Sequence, residues 1–131
     1  MNVGNICKRD VTTITVNTPL SEAARTLCES SSEAIVAIAS SVRQPTAVGI
    51  LTDRDMLRAL LERGGDLSGT RVVDILPRNP LVLSQDEDIE DAMSRLRASG
   101  VEHAPIVGPG GTLCGTISRR EILEHQLRQF A

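Results

Sequence analysis

The sequence predicts an α/β protein made of two β-α-β-β-α repeats related by a pseudo-twofold axis. Two observations predict this class: apolar runs typical of strands alternate with helical apolar stripes, and the whole order occurs twice. The 131-residue chain has room for one compact domain, or for two small halves that share a core. Because a half of roughly 60 residues buries little surface alone, we expect the two halves to pack together.

The first half is predicted to run strand, helix, strand, strand, helix. The first helix is expected to take Thr18 as its N-cap and Pro19 as its first residue, and to end at the serines 30–32. A polar loop is expected at residues 40–46, and a glycine-rich connector at residues 64–69. The β-branched and apolar runs place the strands at residues 12–16, 34–39 and 47–51, and the second helix at residues 53–63.

The second half repeats this order at a nearly constant numerical offset. A lead-in segment opens each half, at residues 3–9 and 72–75. The later strands are expected at residues 81–83, 104–107 and 113–117, and the helices at 89–99 and 119–129. The matched pairs are Ile6/Ile75, Ala23/Ala92 and Leu27/Leu96, then Gly49/Gly115, Thr52/Ser118 and Asp55/Glu121. We therefore assign residues 1–63 to repeat 1, 64–71 to a linker and 72–131 to repeat 2.

The motif at residues 49–55 joins a buried strand directly to a helix. Thr52 falls at the helix start, where free backbone N–H groups and the helix dipole favour an anion. Asp55, one turn further on, could accept hydrogen bonds from sugar hydroxyls. The alternative is that Thr-x-x-Asp is a capping box, which needs no ligand. The second copy, Ser118-x-x-Glu121, favours a ligand role for the motif, although it matches a capping box even better.

Composition argues against several classes of function. The net charge of −3 and the single aromatic residue, Phe130, disfavour nucleic acid and acidic lipids as partners. Three cysteines without CxxC spacing indicate reduced thiols in a cytoplasmic protein, with neither disulfides nor a metal site. We find no membrane span in the sequence. We also find no nucleophile elbow and no paired carboxylates in apolar surroundings, so we do not expect an enzyme.

The repeat architecture, together with Gly-Ile-Leu-Thr-Asp-Arg-Asp at residues 49–55, resembles a tandem pair of cystathionine-β-synthase (CBS) domains, or Bateman module. The resemblance covers residues 3–129. It implies a regulatory module that binds adenosine-containing ligands in clefts shared by the repeats. AMP, ADP or ATP are expected ahead of S-adenosylmethionine and NAD, and no cofactor is required. In the family, the motif hydroxyl holds phosphate and the motif aspartate holds the ribose diol.

The resemblance assigns residues of this chain to two clefts. The main cleft would be formed by Thr52, Asp53, Arg54, Asp55, Leu76, Leu81, Glu102, His103 and Ala104. The second cleft would be formed by Ser118, Arg119, Arg120, Glu121, Cys7, Thr12, Glu33 and Ala34. Glu121 is longer than the family's aspartate by a methylene, so the main cleft ranks above the second. Two alternatives stay open: His103 as a strand-end histidine, and the motif arginines as solvated side chains.

The expected function is adenine-nucleotide sensing, and the alternative is an oligomerisation module with unoccupied clefts. A homodimer is expected through the two helices that follow the motifs, because their apolar stripes are wider than one sheet contact can bury. The resemblance implies the same interface. The alternative is that the surplus apolar residues pack between the repeats. A regulated protein partner is also expected, and the sequence does not identify it.

Overall fold

The computed structural model describes residues 1–30, 33–39 and 45–130. The loop expected at residues 40–46 therefore lies largely outside the described residues. Of the serines expected to end the first long helix, Ser30 is its C-cap, and residues 31 and 32 lie outside the described part. In chain order the elements are α1 (Val3–Ile6), β1 (Thr13–Thr15), α2 (Leu20–Glu29), β2 (Ala34–Ala39), β3 (Thr46–Thr52), α3 (Asp53–Glu62), α4 (Val72–Ile75), β4 (Leu83–Ser84), α5 (Ile89–Ser99), β5 (His103–Val107), β6 (Leu113–Ser118) and α6 (Arg119–Arg128).

These elements form two compact units, which we describe one at a time. Unit 1 comprises residues 1–10 and 81–130, and unit 2 comprises residues 11–80. Each unit contains a three-stranded sheet of the same topology, in the order β1-β2-β3 or β4-β5-β6. In both sheets the first pair of strands is parallel and the second pair is antiparallel. The predicted α/β class and the repeated element order are confirmed.

The compact units differ from the sequence repeats, because each repeat's lead-in segment packs in the unit formed by the other repeat. Both lead-ins are short helices. In unit 1, α1 donates from Val3 N to the Glu87 carbonyl at 2.9 Å, and Lys8 and Thr116 exchange two backbone bonds of 2.9 Å. In unit 2, α4 donates from Val72 N to the Thr18 carbonyl at 3.0 Å. The side chains of Val3 and Val72 are fully buried in these two cores.

Hydrophobic burial accounts for both cores. The core of unit 2 contains Ile14, Leu20, Ala23, Leu27, Ile35, Ala37, Leu51, Met56, Ala59 and Val72. The core of unit 1 contains Val3, Leu83, Ile89, Ala92, Met93, Leu96, Ala104, Ile106, Ile117 and Ile122. The helical spacing that predicted one apolar face on α2 and one on α5 therefore identified the core-facing residues correctly. In the described part of the chain, every helix is too short or too polar to span a lipid bilayer.

Several predicted boundaries differ from the structure by one or two residues, and two of the differences have an identifiable cause. The N-cap of α2 is Pro19 rather than Thr18, and it makes no side-chain cap bond. The Thr18 hydroxyl is instead 2.9 Å from that of Thr15, while Leu20 N donates to the Thr70 carbonyl at 2.8 Å. The strand expected at residues 81–83 is the two-residue β4, because pairing with β5 begins only at Leu83. The predicted end of α5 is correct: Gly100 caps it at φ 69°.

Candidate functional site

The N-terminus of α3 carries the motif that the sequence singled out. β3 runs directly into α3, and Thr52 is the N-cap. Its Oγ1 accepts a hydrogen bond from Asp55 N at 3.3 Å. In return, Asp55 Oδ2 accepts from Thr52 N and from Thr52 Oγ1, both at 2.9 Å. The two residues therefore form a complete capping box, which fixes the Asp55 carboxylate at the first turn of the helix.

This cap leaves polar groups available on its outer side. Asp55 is half-buried, and its second oxygen, Oδ1, makes no hydrogen bond to the described residues. The amides of Asp53 and Arg54 belong to the first turn, where an α-helix supplies no acceptor of its own. Both of these side chains are exposed. An ordered carboxylate oxygen beside free amides can hold hydroxyl groups and an anion together.

The other predicted site residues of unit 2 lie along the same sheet or beside it. Ala34 opens β2 and is in register with Thr52 across the strand pair, and the exposed Glu33 precedes it. Thr12 precedes β1, with its hydroxyl 3.4 Å from that of Ser30 and its carbonyl accepting from Val36 N at 2.9 Å. Leu76 follows α4 and packs against the core of this unit.

The matching motif of unit 1, at the N-terminus of α6, forms only half of a capping box. Ser118 Oγ accepts from Glu121 N at 3.1 Å, but no bond from the Glu121 carboxylate to the backbone of Ser118 is present. The expectation that Ser118-x-x-Glu121 makes the better box is therefore wrong. The carboxylate of Glu102 lies at the start of this helix. Ser118 is buried, with 5% of its surface exposed.

Glu102 binds the first turn of α6 through both of its carboxylate oxygens. Its Oε2 is 3.0 Å from Arg119 Nε, and its Oε1 accepts from Arg120 N at 3.3 Å. Its carbonyl also accepts from Arg119 N at 2.9 Å. A carboxylate of the same chain thus occupies the position where the helix dipole would favour an external anion. The sequence assigned Glu102 to one cleft and these two arginines to the other, whereas the structure pairs them.

The remaining predicted residues of unit 1 surround its sheet. His103 begins β5, half-buried and in register with Ser118, and Ala104 is fully buried beside it. Leu81 and Cys7 pack against the core. Burial raises the pKa of the Cys7 thiol, an effect that Arg9 partly opposes. The thiol is therefore kept in its neutral form, as expected for a packing residue rather than a nucleophile.

Each predicted cleft draws its residues from both units, so the assembly of either cleft stays a prediction. Within unit 2 the structure brings together Thr52, Asp53, Arg54, Asp55 and Ala34; within unit 1 it brings together Glu102, His103, Ser118, Arg119 and Arg120. In the described part of the chain, no group of three or more His, Cys, Asp or Glu side chains could hold a metal ion.

A groove in unit 1 was not predicted from the sequence. It lies between α5 and α6 and has a volume of about 500 Å³. Met93, Leu123 and Leu127 supply its apolar lining, while Arg97, Arg120 and Glu124 lie among its charged residues. The strands β5 and β6 separate α5 from α6 in the chain, so no local pattern predicts that the two helices form a groove. The helical spacing of Leu123 and Leu127 was the one sequence signal for an apolar surface here.

The two motif helices expose large apolar side chains, as their wide stripes predicted. On α3, Leu57 and Leu61 are 62% and 84% exposed. On α6, Leu127 is 67% exposed, and Phe130 follows the helix with a similarly exposed ring. Exposed apolar residues that line up along a helix are typical of an interaction surface.

Comparison with known proteins gives a consistent family match. The model of the CBS domain matches residues 3–62 and 72–128. Inosine-5′-monophosphate dehydrogenase of Thermoplasma acidophilum is 31% identical over 118 residues, which are 90% of this chain but 22% of that protein. An uncharacterized protein of Methanopyrus kandleri is 25% identical over 124 residues, covering 95% of this chain and 62% of that protein. The chain thus spans less than two thirds of both relatives.

Solved CBS structures share the fold across nearly the whole chain. CBSX2 in complex with AMP has a TM-score of 0.79 at 23% identity, covering 99% of this chain and 98% of that one. A CBS domain pair in complex with 5′-methylthioadenosine and S-adenosyl-L-methionine has a TM-score of 0.81 at 18% identity, with 98% of both chains covered. The CBS domain of a bacterial CNNM/CorC family Mg²⁺ transporter in complex with ATP has a TM-score of 0.79 at 21% identity, covering 97% and 87%.

Proposed function

The chain belongs to the CBS domain family, and from this premise we propose that it is a regulatory module that senses adenine nucleotides rather than an enzyme. The ligand is AMP, ADP or ATP, ahead of S-adenosylmethionine and NAD. Structural relatives in complex with AMP, with ATP and with S-adenosyl-L-methionine support this ligand class. The polar chemistry at the start of α3 supports a nucleotide ahead of S-adenosylmethionine, because it offers groups for both a ribose and a phosphate.

The observation that carries the proposal is the fixed carboxylate of Asp55. Its Oδ2 is held by Thr52 N and Oγ1, which leaves Oδ1 to accept hydrogen bonds from a ribose diol. The amides of Asp53 and Arg54 and the Arg54 guanidinium are suited to a phosphate at the positive end of the helix. A pre-positioned acceptor loses little side-chain freedom on binding, which favours affinity.

The N-terminus of α6 is proposed to bind nucleotide weakly or not at all. Glu102 already takes the Arg120 amide and the Arg119 guanidinium, so a phosphate arriving there would have to displace a carboxylate. Repulsion between that carboxylate and a phosphate would add to the cost. Of the two motif helices, α3 is therefore the primary binding element.

Isothermal titration calorimetry with AMP, ADP and ATP tests the proposal on a matched pair of variants. Asp55→Asn keeps an oxygen that can accept from Thr52 but removes the charge; Glu121→Gln removes the charge at the equivalent position of the other repeat. We expect Asp55→Asn to weaken binding by roughly tenfold or more, because hydrogen bonds to charged groups contribute about 1.5–3 kcal/mol. Glu121→Gln should bind like the unmodified chain. Absence of heat with all three nucleotides at millimolar concentration would refute the sensing function.

The second candidate function is an oligomerisation module whose motif serves only to cap helices. The complete capping box of Thr52 and Asp55 favours it, because this arrangement caps the helix without a ligand. Thermal-shift measurements separate the two candidates. A ligand that binds only the native state raises the melting temperature by mass action, so unchanged melting with every nucleotide would favour the structural module.

Both candidate functions, nucleotide sensing and oligomerisation, include self-association of the chain. We propose a homodimer through α3 and α6, whose exposed leucines would otherwise remain in water. A hexameric CBS-CP12 protein of the same fold supports the proposal of self-association. We further propose that the module acts in the cytoplasm on a separate regulated protein, with nucleotide binding altering how the protomers meet.

A further inference from the structure

Unit 1 brings together two cysteines that lie far apart in the chain. Cys7 is the C-cap of α1 and Cys114 lies in β6, and both side chains are half-buried against the same core. The whole of unit 2 lies between them in the chain, so only the packing of the lead-in helix in unit 1 makes them neighbours. Two thiols in one core are either packing residues or a pair that can be oxidised.

The two sulfurs bond to residues that are themselves in contact. Cys7 Sγ donates to the Gly4 carbonyl at 3.8 Å, and Cys114 Sγ donates to Gln85 Oε1 at 3.2 Å. Gly4 N in turn donates to the Gln85 carbonyl at 2.9 Å, and a Cβ added at Gly4 would lie 3.1 Å from Gln85 Cβ. The two thiols are therefore held by one packed pair of residues.

The strand that carries Cys114 also passes close to Cys7. The register of β6 against β5 pairs Leu113 and Gly115 but passes over Cys114, which is the extra residue of a β-bulge. A Cβ added at Gly115, the next residue, would lie 3.0 Å from Cys7 Sγ. The cysteines thus lie on the two sides of the contact between α1 and β6.

The pKa of the Cys7 thiol depends on the same neighbours. Burial raises this pKa, the Arg9 guanidinium lowers it, and the Cys114 sulfur raises it. Arg9 Nη2 donates to the Gly4 carbonyl at 2.8 Å, the same carbonyl that Cys7 Sγ faces, which keeps a cation beside the two thiols. A nearby cation stabilises negative charge on sulfur and is typical of cysteines that react.

We propose that Cys7 and Cys114 form a redox-sensitive pair, which a hydroperoxide converts to an intramolecular disulfide. The disulfide joins α1 to β6 and fixes the lead-in helix covalently in unit 1. Both thiols are free in this structure, which is the state that a reducing compartment maintains between oxidation events. The inference goes beyond the proposed function and requires neither a nucleotide nor a dimer.

The oxidation takes two steps. The hydroperoxide transfers its terminal hydroxyl to the Cys114 sulfur, which gives a sulfenic acid, and the thiol proton leaves with the alcohol or water that is released. Cys114 takes this step because burial favours the neutral form of the Cys7 thiol. The Cys7 sulfur then bonds to the Cys114 sulfur, the S–O bond breaks, and the hydroxyl leaves as water with the Cys7 proton. One hydroperoxide is reduced for each disulfide formed.

Peroxide treatment of the unmodified chain tests the pair. The folded chain is treated with hydrogen peroxide, the remaining thiols are blocked with N-ethylmaleimide, and tryptic peptides are identified by mass spectrometry without reduction. In chains with the intact mass of a single copy, we expect a disulfide between peptide 1–8, which contains Cys7, and peptide 98–119, which contains Cys114. The exposed Cys28, on peptide 26–43, is the internal comparison and should take part in no intramolecular link.

Serine variants separate the two steps. In a Cys28→Ser background, Cys7→Ser should leave a sulfenic acid on Cys114 that dimedone traps, because the second thiol is missing. Cys114→Ser should leave Cys7 reduced at the same dose of peroxide. The Cys28→Ser chain with both thiols should unfold at higher urea after oxidation than before it, because a cross-link restricts the unfolded chain. Neither serine variant of the pair should show this shift.

Three outcomes would overturn the proposal. The first is separate oxidation of Cys7 and Cys114 to sulfinic acids with no link between their peptides. The second is a folded chain in which both thiols still react with N-ethylmaleimide after peroxide treatment. The third is a link that forms only in urea, because the fold itself must bring the thiols together. Each of these results would make the two cysteines packing residues.

Discussion

Gly115 and Gly49 occupy equivalent positions in the two repeats but meet different neighbours. A Cβ added at Gly115 would clash with the carbonyl oxygen of Lys8 and lie 3.0 Å from Cys7 Sγ. A Cβ added at Gly49 would make ordinary contacts, 3.4 Å from Leu76 Cδ2. The glycine of the motif is therefore required by close approach of the backbone in unit 1, and no such approach requires it in unit 2.

We predict that Gly115→Ala lowers the free energy of unfolding by about 1–3 kcal/mol, since overpacking against a fixed carbonyl forces the backbone to shift. Gly49→Ala should be nearly neutral, because its new methyl group fits and alanine reduces the entropy of the unfolded chain. Urea denaturation of both variants, with the m-value checked for constancy, measures the difference. Equal losses in the two variants would contradict this account of the glycine.

Local sequence predicted the start of α3 well and the start of α2 poorly. The Thr52 cap depends on Asp55, three residues away, so the pattern contains all of its partners. The Thr18 hydroxyl is instead engaged by Thr15, and the first amide of α2 by the Thr70 carbonyl, which is distant in the chain. For the same reason the role of Glu102 at the start of α6 could not be predicted: its partner Arg119 lies seventeen positions later.

The two motif helices also differ in what their third residue contributes to stability. Asp55→Ala removes two bonds to Thr52, so we predict a loss of about 1 kcal/mol in the free energy of unfolding. Glu121→Ala removes no cap bond, because only the backbone amide of Glu121 takes part in the cap. Its effect should fall within about 0.5 kcal/mol of zero. Thermal and urea unfolding of the two alanine variants, without nucleotide, measures this; a larger loss for Glu121→Ala would contradict it.

At the scale of the whole molecule, periodicity and the repeat offsets predicted the strands and most of the helices. They could not predict that each lead-in helix packs in the unit formed by the other repeat. That exchange depends on long-range backbone bonds, such as Val73 N to the Val16 carbonyl at 2.9 Å, which leave no local pattern. Val3 and Val72 are both fully buried. From the sequence, each could be identified only as part of a short apolar segment.

The exchange leads to a prediction about fragments of similar length. Fragment 11–80 contains every element of unit 2, including α4. Fragment 1–66 contains the same sheet but lacks α4, and it carries α1 without the strands against which α1 packs. The loss of the buried Val72 side chain alone removes roughly 1.5–3 kcal/mol. A core of this size rarely supplies more than about 3–5 kcal/mol, so fragment 1–66 should not fold.

Circular dichroism and urea titration of the two fragments test this division of the chain. We expect fragment 11–80 to unfold in one cooperative transition, at lower urea than the full chain, and fragment 1–66 to show no cooperative transition. Fragment 11–80 carrying Val72→Ala is the matched control, because it keeps α4 and removes most of the buried side chain. It should unfold at lower urea than fragment 11–80 itself. If fragment 1–66 folded cooperatively and fragment 11–80 did not, the sequence repeat rather than the compact unit would be the folding unit.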